Sequence, residues 1–332
     1  MAKAVASRKD VAQLAGVSET VVSYVINNNR YVKDEKREKV LKAIEELDYR
    51  PNRIARALKG KSSKHIILLI DRIKSEYYGE LISDIEHFSG DLGYLVSVSL
   101  IVNSLNYVNN IIDWNVDGVI ISSIHFPEKY IRKLAEAGIP VVLMKNRDFP
   151  PMNGVDFINT GLKEGTKKAV DYLYDTGCRR IGYVDRLSQN NHFSTMADFR
   201  YRGYYEAVTG RHEPVIISGC TSPEQLQEQL MQVMRSAPLD GIFCRNDGIA
   251  CAVMNTLLRY RYRIPEDVSI IGMDDTAYAK TSYPTLTTLR QSREEIAKTA
   301  IRLIEGVNAG EAIGQEICFE PRLIIRESVR EQ

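Results

Sequence analysis

Most of the chain after His65 alternates apolar runs of strand length with stretches of helical periodicity. The runs are HIILLI, YLVSVSLI, GVIISSI, IPVVLM, RRIGYV, PVIIS, GIFC and VSIIGM. Because these runs are nearly continuous in apolar residues, they indicate strands of parallel sheet that are buried on both faces. The helical stretches between them supply the right-handed crossovers that parallel strands need. Two such sets predict two doubly wound lobes, with a ligand cleft where the carboxyl ends of both sheets face each other.

The beginning of the chain has a different pattern, SRKDVAQLAGVSETVVSYVIN, which runs from Ser7 to Asn27. It predicts two short amphipathic helices. Ser7, with Asp10 at the N3 position, is expected to cap the first helix, and Ser18 the second, because their hydroxyls accept hydrogen bonds from backbone amides that lack an intrahelical partner. Gly16 lies where the chain must turn sharply. Taken alone, this layout is typical either of a helix-turn-helix or of a helical hairpin within a larger core.

Apolar spacing supports a small separate core for these two helices. The residues expected to share it are Val11, Leu14, Ala15, Val22, Val25 and Ile26. The outward face of the second helix carries Thr20, Ser23, Tyr24 and Asn27, which a helix-turn-helix would present to base edges in the major groove. A third helix, capped by Asp34, is expected from about Glu35 to Leu47, and YRPNRIARALKGKSS follows it.

From Ser7 to Ser63 the chain resembles the DNA-binding headpiece and hinge of the lactose-repressor (LacI/GalR) family. The motifs that carry the resemblance are DVAQLAGVS, VVSYVIN and REKVLKAIEELDYRPNRIARAL. The rest resembles the family's effector-binding core, which is similar to periplasmic sugar-binding proteins, through CRNDGIACAV, IPEDVSIIGMDD and YPTLTTLRQ. These motifs are long and ordered, and together the resemblance covers essentially the whole chain.

The resemblance implies a fold in three parts. Residues 1–50 would form an all-α helix-turn-helix headpiece, and residues 51–63 a hinge helix and linker. Residues 64–332 would form an α/β periplasmic-binding-protein-like core of two doubly wound parallel-sheet lobes, which also holds the dimer contacts. The first lobe is expected to take about 64–160 and 291–320, and the second 161–290 and 321–332.

The resemblance also implies which residues contact DNA. They are Ser7, Ser18, Glu19, Thr20, Val21, Ser23, Tyr24, Asn27, Tyr31, Asn52, Arg53, Ala55 and Leu58. In the family a leucine of the hinge helix, here Leu58, wedges into the minor groove at a cost of a few kcal/mol. Such a short helix is marginal alone, so its folding would be coupled to DNA binding. The alternative is a flexible linker in which Leu58 has no specific role.

Two positions of the reading helix depart from the family. Tyr24 stands where the family often has an arginine that reads guanine, and Val21 where it has a threonine. Because a tyrosine cannot make the bidentate contact to guanine, we expect an operator that differs from the usual family site at the corresponding base.

The cleft residues that match the family pattern are Arg200, Asn246, Asp274 and Gln291, and Tyr77 and Tyr78 are expected to form an apolar wall. Such carboxylate, amide and guanidinium groups suit a ligand with paired hydroxyls or oxygens. Asp275 either contacts ligand or caps the following turn.

Two further departures concern the effector. Lys145 stands in LMKNRD where the family usually has an aspartate, and Gly161 and Leu162 replace a common Asp-Asn pair. The cationic residues expected near the mouth of the cleft are Lys145, Arg147, Arg200, Arg245 and Arg293. They suggest an anionic effector, such as a phosphosugar, a nucleotide or a carboxylate.

Charge and composition agree with a nucleic-acid partner at one end. Residues 1–64 hold 15 Lys or Arg against 8 Asp or Glu, whereas the rest holds 29 against 35. No apolar stretch has the length of a signal peptide or a membrane span, which favours a cytoplasmic protein. The 5 cysteines lack CxxC spacing and the 5 histidines lack metal-ligand spacing, so no metal or other cofactor is expected.

These patterns predict a sequence-specific transcriptional regulator, a repressor that binds double-stranded operator DNA as a homodimer and responds to a small-molecule effector. Whether the effector releases or recruits the protein stays open. One alternative is a catabolite-type regulator controlled by a phosphocarrier protein. The other is an enzyme with its active site in the cleft, which the sequence disfavours because it shows no nucleophile-base set, metal cluster or phosphate loop.

Overall fold

The computed structural model describes residues 6–27, 30–49 and 62–331. The chain divides into two compact units, Met1–Ser63 and Lys64–Gln332.

The first unit contains three helices among its described residues. They are α1 (Arg8–Ala15), α2 (Glu19–Asn27) and α3 (Asp34–Glu46). Ser7 and Asp10 form the expected capping box at α1, and Gly16 ends that helix in the left-handed conformation with φ +64°. The backbone N–H of Val21 donates to the Ser18 hydroxyl at 3.4 Å, which confirms the cap of α2. The predicted helix-turn-helix is therefore present with the caps that define it.

Two expectations for this unit were wrong in detail. Leu14 is 47% exposed, and Ala12 is buried in its place. Successive residues of a helix are about 100° apart around its axis, so Val11, Ala12 and Ala15 lie on one side of α1. Leu14 lies about 100° from the centre of that buried side, which leaves it exposed. Helix α3 begins at Asp34, so its N-cap is Lys33, which provides no side-chain cap.

The second unit contains two parallel sheets with helices on both faces. The first sheet has the order β11-β5-β4-β3-β1-β2, all parallel. Its strands are β1 (His65–Ile70), β2 (Leu95–Leu100), β3 (Gly118–Ser122), β4 (Val141–Lys145), β5 (Val155–Asn159) and β11 (Glu316–Cys318). The helices that join these strands are α4 (Glu76–Gly90), α5 (Leu105–Asp113) and α6 (Glu128–Glu136).

The second sheet has the order β12-β10-β9-β8-β6-β7 and is parallel except for the β10–β12 pair. Its strands are β6 (Ile181–Val184), β7 (Val215–Ile217), β8 (Gly241–Cys244), β9 (Ser269–Met273), β10 (Thr287–Arg290) and β12 (Arg322–Ile324). The remaining helices are α7 (Leu162–Asp175), α8 (Phe199–Val208), α9 (Pro223–Ser236), α10 (Asp247–Arg259), α11 (Ala277–Thr281) and α12 (Arg293–Asn308).

Alternate residues of each central strand bury on opposite faces of its sheet. In β1, Leu68 packs towards α4 and α12, whereas Leu69 packs towards α5 and α6. In β8, Ile242 faces α9 and α10, and Phe243 faces α7 and α8. This burial on both faces confirms the predicted pair of doubly wound lobes.

The chain crosses between the two sheets three times: after β5, between β10 and α12, and between β11 and β12. The first crossing contains Gly161, which has φ +70°. A Cβ atom there would lie 2.6 Å from Cδ of Pro321 and would overlap the carbonyl oxygen of Phe319, in the third crossing. Glycine is therefore required at Gly161 both by its backbone conformation and by the close approach of two connections.

Candidate DNA-reading face and ligand cleft

The predicted reading helix, α2, has one buried and one exposed side. Val22 and Val25 are 0% and 4% exposed and pack into the headpiece core. On the other side, Ser18, Glu19 and Thr20 are exposed, and Val21, Ser23 and Tyr24 are half-buried. The structure thus brings together the candidate DNA contacts from Ser18 to Tyr24 at one helix. The backbone of Asn27 closes α2, and its side chain lies outside the described residues.

Tyr24, the main departure from the family pattern, is held by a cation. Nη1 of Arg30 donates to the Tyr24 hydroxyl at 3.3 Å, and its guanidinium carbon lies 5.3 Å from the ring centroid. Beside this pair, Tyr31 is 86% exposed. Ser7 lies at the other end of the motif, where its hydroxyl belongs to the α1 capping box. The hinge candidates Asn52, Arg53, Ala55 and Leu58 lie outside the described residues.

The seven cleft candidates all line one cavity between the carboxyl ends of the two sheets. They are Tyr77, Tyr78, Lys145, Arg200, Asn246, Asp274 and Gln291. Their positions follow from the topology, because each follows or ends a strand or begins a helix at that edge of its sheet. Asn246, for example, caps α10, and its Oδ1 accepts from the backbone N–H of Ile249 at 2.9 Å.

A hydrogen-bonded chain connects the two lobes across this cavity. The Tyr77 hydroxyl donates to Oε1 of Gln291 at 3.4 Å, and Nε2 of Gln291 donates to Oδ1 of Asp274 at 2.8 Å. Burial raises the pKa of Asp274. Asp274 also has φ +100°, which a residue with a side chain adopts only under strain, and such residues cluster at functional sites.

The cationic residues that suggested an anionic effector divide into two groups. Arg200 and Arg245 line the cavity, as does Lys145, whose Nζ lies 2.7 Å from Oε1 of Glu316. The other two do not line it. Arg147 is held on the first lobe by Glu128, and Arg293 by Asp84 and Glu80. Those two arginines are therefore structural.

Asp275 does not line this cavity. Its carboxylate accepts from Nε of Arg290 at 2.6 Å and from Nη2 of Arg326 at 2.6 Å. The carboxylate of Asp275 therefore connects Arg290, at the end of β10, to Arg326, in the segment that follows β12.

Four charged residues of the cavity were missed by sequence reasoning: Asp71, Arg72, Arg186 and Asp198. The carboxylate of Asp198 is fully buried, and Nη1 of Arg245 donates to it. Burial alone would raise the pKa of Asp198, but the guanidiniums of Arg245 and Arg200 outweigh it and lower that pKa. Nothing local in the sequence marks these residues, because arginine and aspartate are ordinary on loops.

None of the described helices is long and apolar enough to cross a membrane.

Two family models match the chain. Residues 8–52 match the model of bacterial regulatory proteins of the lacI family. Residues 170–329 match the model of the periplasmic binding protein-like domain.

Proteins of known name match nearly the whole chain. The HTH-type transcriptional repressor PurR of Pasteurella multocida (strain Pm70) is 31% identical over 338 residues, which cover 98% of this chain and 99% of that protein. The repressor of the same name from Haemophilus influenzae (strain PittEE) is 31% identical over 339 residues, with the same coverage. Among solved structures, the lac repressor dimer bound to operator and the anti-inducer ONPF superposes with a TM-score of 0.83. That match has 25% identity and covers 98% of this chain and 100% of that one.

Proposed function

The chain belongs to the LacI family of bacterial regulatory proteins, and from this membership we propose how it acts. It is a DNA-binding transcriptional repressor whose operator affinity is controlled by a small-molecule effector. The headpiece binds operator DNA, and the effector occupies the cleft between the two lobes.

The observation that carries this proposal is the exposed polar side of α2 in a capped helix-turn-helix. In such motifs the second helix lies in the major groove, and its N-terminal residues contact base edges. Here that N-terminus presents Ser18, Glu19 and Thr20. The full set of proposed DNA contacts is Ser7, Ser18, Glu19, Thr20, Val21, Ser23, Tyr24, Asn27, Tyr31, Asn52, Arg53, Ala55 and Leu58.

We propose that the effector contacts the seven cleft candidates and changes the angle between the lobes. In a homodimer on a near-palindromic operator, such a change would alter the spacing of the two hinge segments that precede the cores. Operator affinity then depends on the effector, and linkage requires that operator DNA change effector affinity by the same factor. Because the lobes meet through the chain Tyr77–Gln291–Asp274, a ligand there contacts both lobes at once.

Fluorescence anisotropy with DNA from the region upstream of the coding sequence tests the proposal. We expect saturable binding. The logarithm of the association constant should fall linearly with the logarithm of the salt concentration, with a slope of about −0.9 per phosphate neutralised. Thr20→Ala should weaken specific binding by about tenfold, because it removes a side chain from the reading face.

The control is Glu45→Ala, which changes an exposed residue on α3. It should leave specific binding unchanged or slightly stronger, since it removes a negative charge. The proposal would be wrong if Thr20→Ala and Glu45→Ala bound the specific site equally well, or if the protein bound no DNA segment in preference to competitor DNA.

A further inference from the structure

Arg186 is a buried cation without a hydrogen-bonded counterion. It lies just beyond β6, its residue is 7% exposed, and its Nε and Nη2 atoms make no hydrogen bond with the residues that the structure describes. Its nearest ion pair is with Oδ2 of Asp198 at 3.7 Å, and that oxygen already accepts from Arg245. Because an incompletely paired buried charge is costly, such a group is typical of a site that an added anion completes.

Arg72 occupies the corresponding position in the first lobe, just beyond β1. Among the described residues, none forms a hydrogen bond or ion pair with its side chain, and it lines the same cavity as Arg186. Burial and the charge of Arg245 lower the pKa of Arg186 to about 10, although the carboxylates of Asp198 and Asp185 act in the opposite direction; Arg72 adds to the lowering. At neutral pH both guanidiniums still carry a charge, so they repel each other across the cleft.

The other two carboxylates that line this cavity, Asp71 and Asp274, have other partners. Asp71 accepts from the Ser123 hydroxyl and from the backbone N–H of Ile124. Asp274 accepts from Gln291. Neither carboxylate hydrogen-bonds Arg72 or Arg186, so the protein's own acidic groups leave these two cations incompletely paired.

The part of the cavity beside Arg72 adjoins a helix N-terminus and a second cavity. Ser75, the N-cap of α4, makes no capping hydrogen bond with its side chain, and it faces the cavity beside Arg72. An adjacent cavity of about 460 Å³ shares Arg72, Ser75 and Arg186 as wall residues. It also has the apolar residues Leu187, Ile249 and Ala252. Helix N-termini favour anions, and cavities of this size hold small metabolites.

We propose that the cleft ligand carries an anionic group with several terminal oxygens, a phosphomonoester or a carboxylate, which binds between Arg72 of the first lobe and Arg186 of the second. The rest of the ligand occupies the adjacent cavity. By neutralising two like charges on opposite lobes, the anion holds the cleft closed. This inference rests on the proposed function, since it names the chemical class of the effector.

The first test uses the full chain with inorganic orthophosphate as the probe, and chloride at equal ionic strength as the reference. Titration calorimetry and thermal unfolding are measured for wild type, Arg72→Gln, Arg186→Gln and the control Arg180→Gln. Arg180 is exposed at the opposite end of β6. We expect both cleft variants to bind phosphate about tenfold to a hundredfold more weakly, and the control to bind as wild type does.

Thermal unfolding without phosphate gives an independent result for the same variants. Arg186→Gln should melt at or above the wild-type temperature, because it removes an incompletely paired buried charge. Wild type should gain stability from phosphate and Arg186→Gln should not. Equal phosphate effects on wild type, Arg72→Gln and Arg186→Gln would overturn the anion site.

The second test separates this inference from the proposed function. Operator binding is measured with ribose 5-phosphate against ribose, and with succinate against succinamide. If ribose 5-phosphate shifts operator binding and ribose does not, or succinate does and succinamide does not, the anion site is supported. The active pair then shows whether the anionic group is a phosphate or a carboxylate. If the neutral members shift operator binding as strongly, the inference fails while the function stands. If no DNA binds, the function fails, and the phosphate titration still decides the anion site.

Discussion

The ring of His125, which follows β3 in the first lobe, lies 4.3 Å from the ring of His192 in the second lobe, measured between centroids. The two imidazoles thus meet across the cleft. Burial lowers the pKa of His125, and His192, Arg186 and Arg245 lower it further, while Asp71 acts in the opposite direction. This contact across the cleft and the burial of the ring therefore favour neutral His125.

A lowered pKa makes the stability of the protein depend on pH in a definite direction. The contribution of His125 is fully present above its ordinary pKa of 6.5 and is lost as pH falls through the lowered value. We expect the melting temperature to fall between about pH 8 and about pH 5.5, and to fall less in His125→Gln. His87→Gln is the control, because His87 is exposed on α4. A fall of equal size in His125→Gln and His87→Gln would contradict the prediction.

Asp247 predicts the opposite pH dependence. Burial raises its pKa to about 7, and the nearby Asp274 adds to the shift. A raised pKa gives stability that is fully present below the ordinary value and is lost as pH rises through about 7. Asp247→Asn cannot ionise, so the urea midpoint of the variant should rise relative to that of wild type between about pH 5.5 and about pH 8.5. At the lower pH the variant should be about 1 kcal/mol less stable, because Thr276 and Thr288 lose an optimal acceptor.

The ion pair of Asp198 and Arg245 should be costly to break. Asp198→Asn leaves the buried Arg245 without its hydrogen-bonded carboxylate and with only the more distant Asp185, and we expect a loss of about 3 kcal/mol in the free energy of unfolding. Asp148→Asn is a matched control, because Asp148 pairs with Arg202 at 2.6 Å with its side chain 72% exposed. Its loss should stay below about 1 kcal/mol. Urea unfolding compares the two, and equal losses would show that burial of the pair does not matter.

Gly161 is expected to tolerate no side chain. Gly161→Ala combines a left-handed backbone with overlap against Phe319 and Pro321, so it should destabilise the protein by more than about 2 kcal/mol. Gly138→Ala separates these causes, because Gly138 has φ +80° and open space around it. That control should cost about 1 kcal/mol, from backbone strain alone. If both variants melted at the same temperature, close approach at the crossing would be unimportant.

The revised headpiece core can be tested with two truncations. Val22→Ala removes a fully buried side chain and should destabilise the headpiece by about 2 kcal/mol, whereas Leu14→Ala should change it by less than about 0.5 kcal/mol. Hydrogen exchange of peptides from residues 6–49 measures this within the full chain. Faster exchange in Leu14→Ala than in Val22→Ala would restore the original assignment of Leu14 to the core.

Most of the fold was predictable because the central strands are continuous in apolar residues. HIILLI and GIFC were predicted with the bounds that β1 and β8 have. In contrast, β5 was missed because its sequence, VDFIN, contains Asp156, which is 1% exposed. That carboxylate accepts from the backbone N–H groups of Gly314 and Gln315 at 2.8 Å, so its burial depends on residues far along the chain.

The candidate cleft was predictable only where the family pattern marked it. Sequence reasoning placed Arg147 and Arg293 near the ligand, but local carboxylates hold both elsewhere. It omitted Arg72 and Arg186, since the lack of a hydrogen-bonded counterion becomes visible only when both lobes are assembled. Charge counts along a sequence therefore cannot separate structural arginines from those that await a ligand.

The contact between Gly161 and the third crossing has a kinematic consequence. Two of the three connections between the lobes contact each other there, so we expect them to move together as one pivot. The connection that contains Gln291, between β10 and α12, is the other. Two pivots define one axis, and a body held on one axis has a single angular degree of freedom. We therefore expect the cleft to open and close by rotation about this one axis. A ligand of any shape can then only increase or decrease the angle between the lobes.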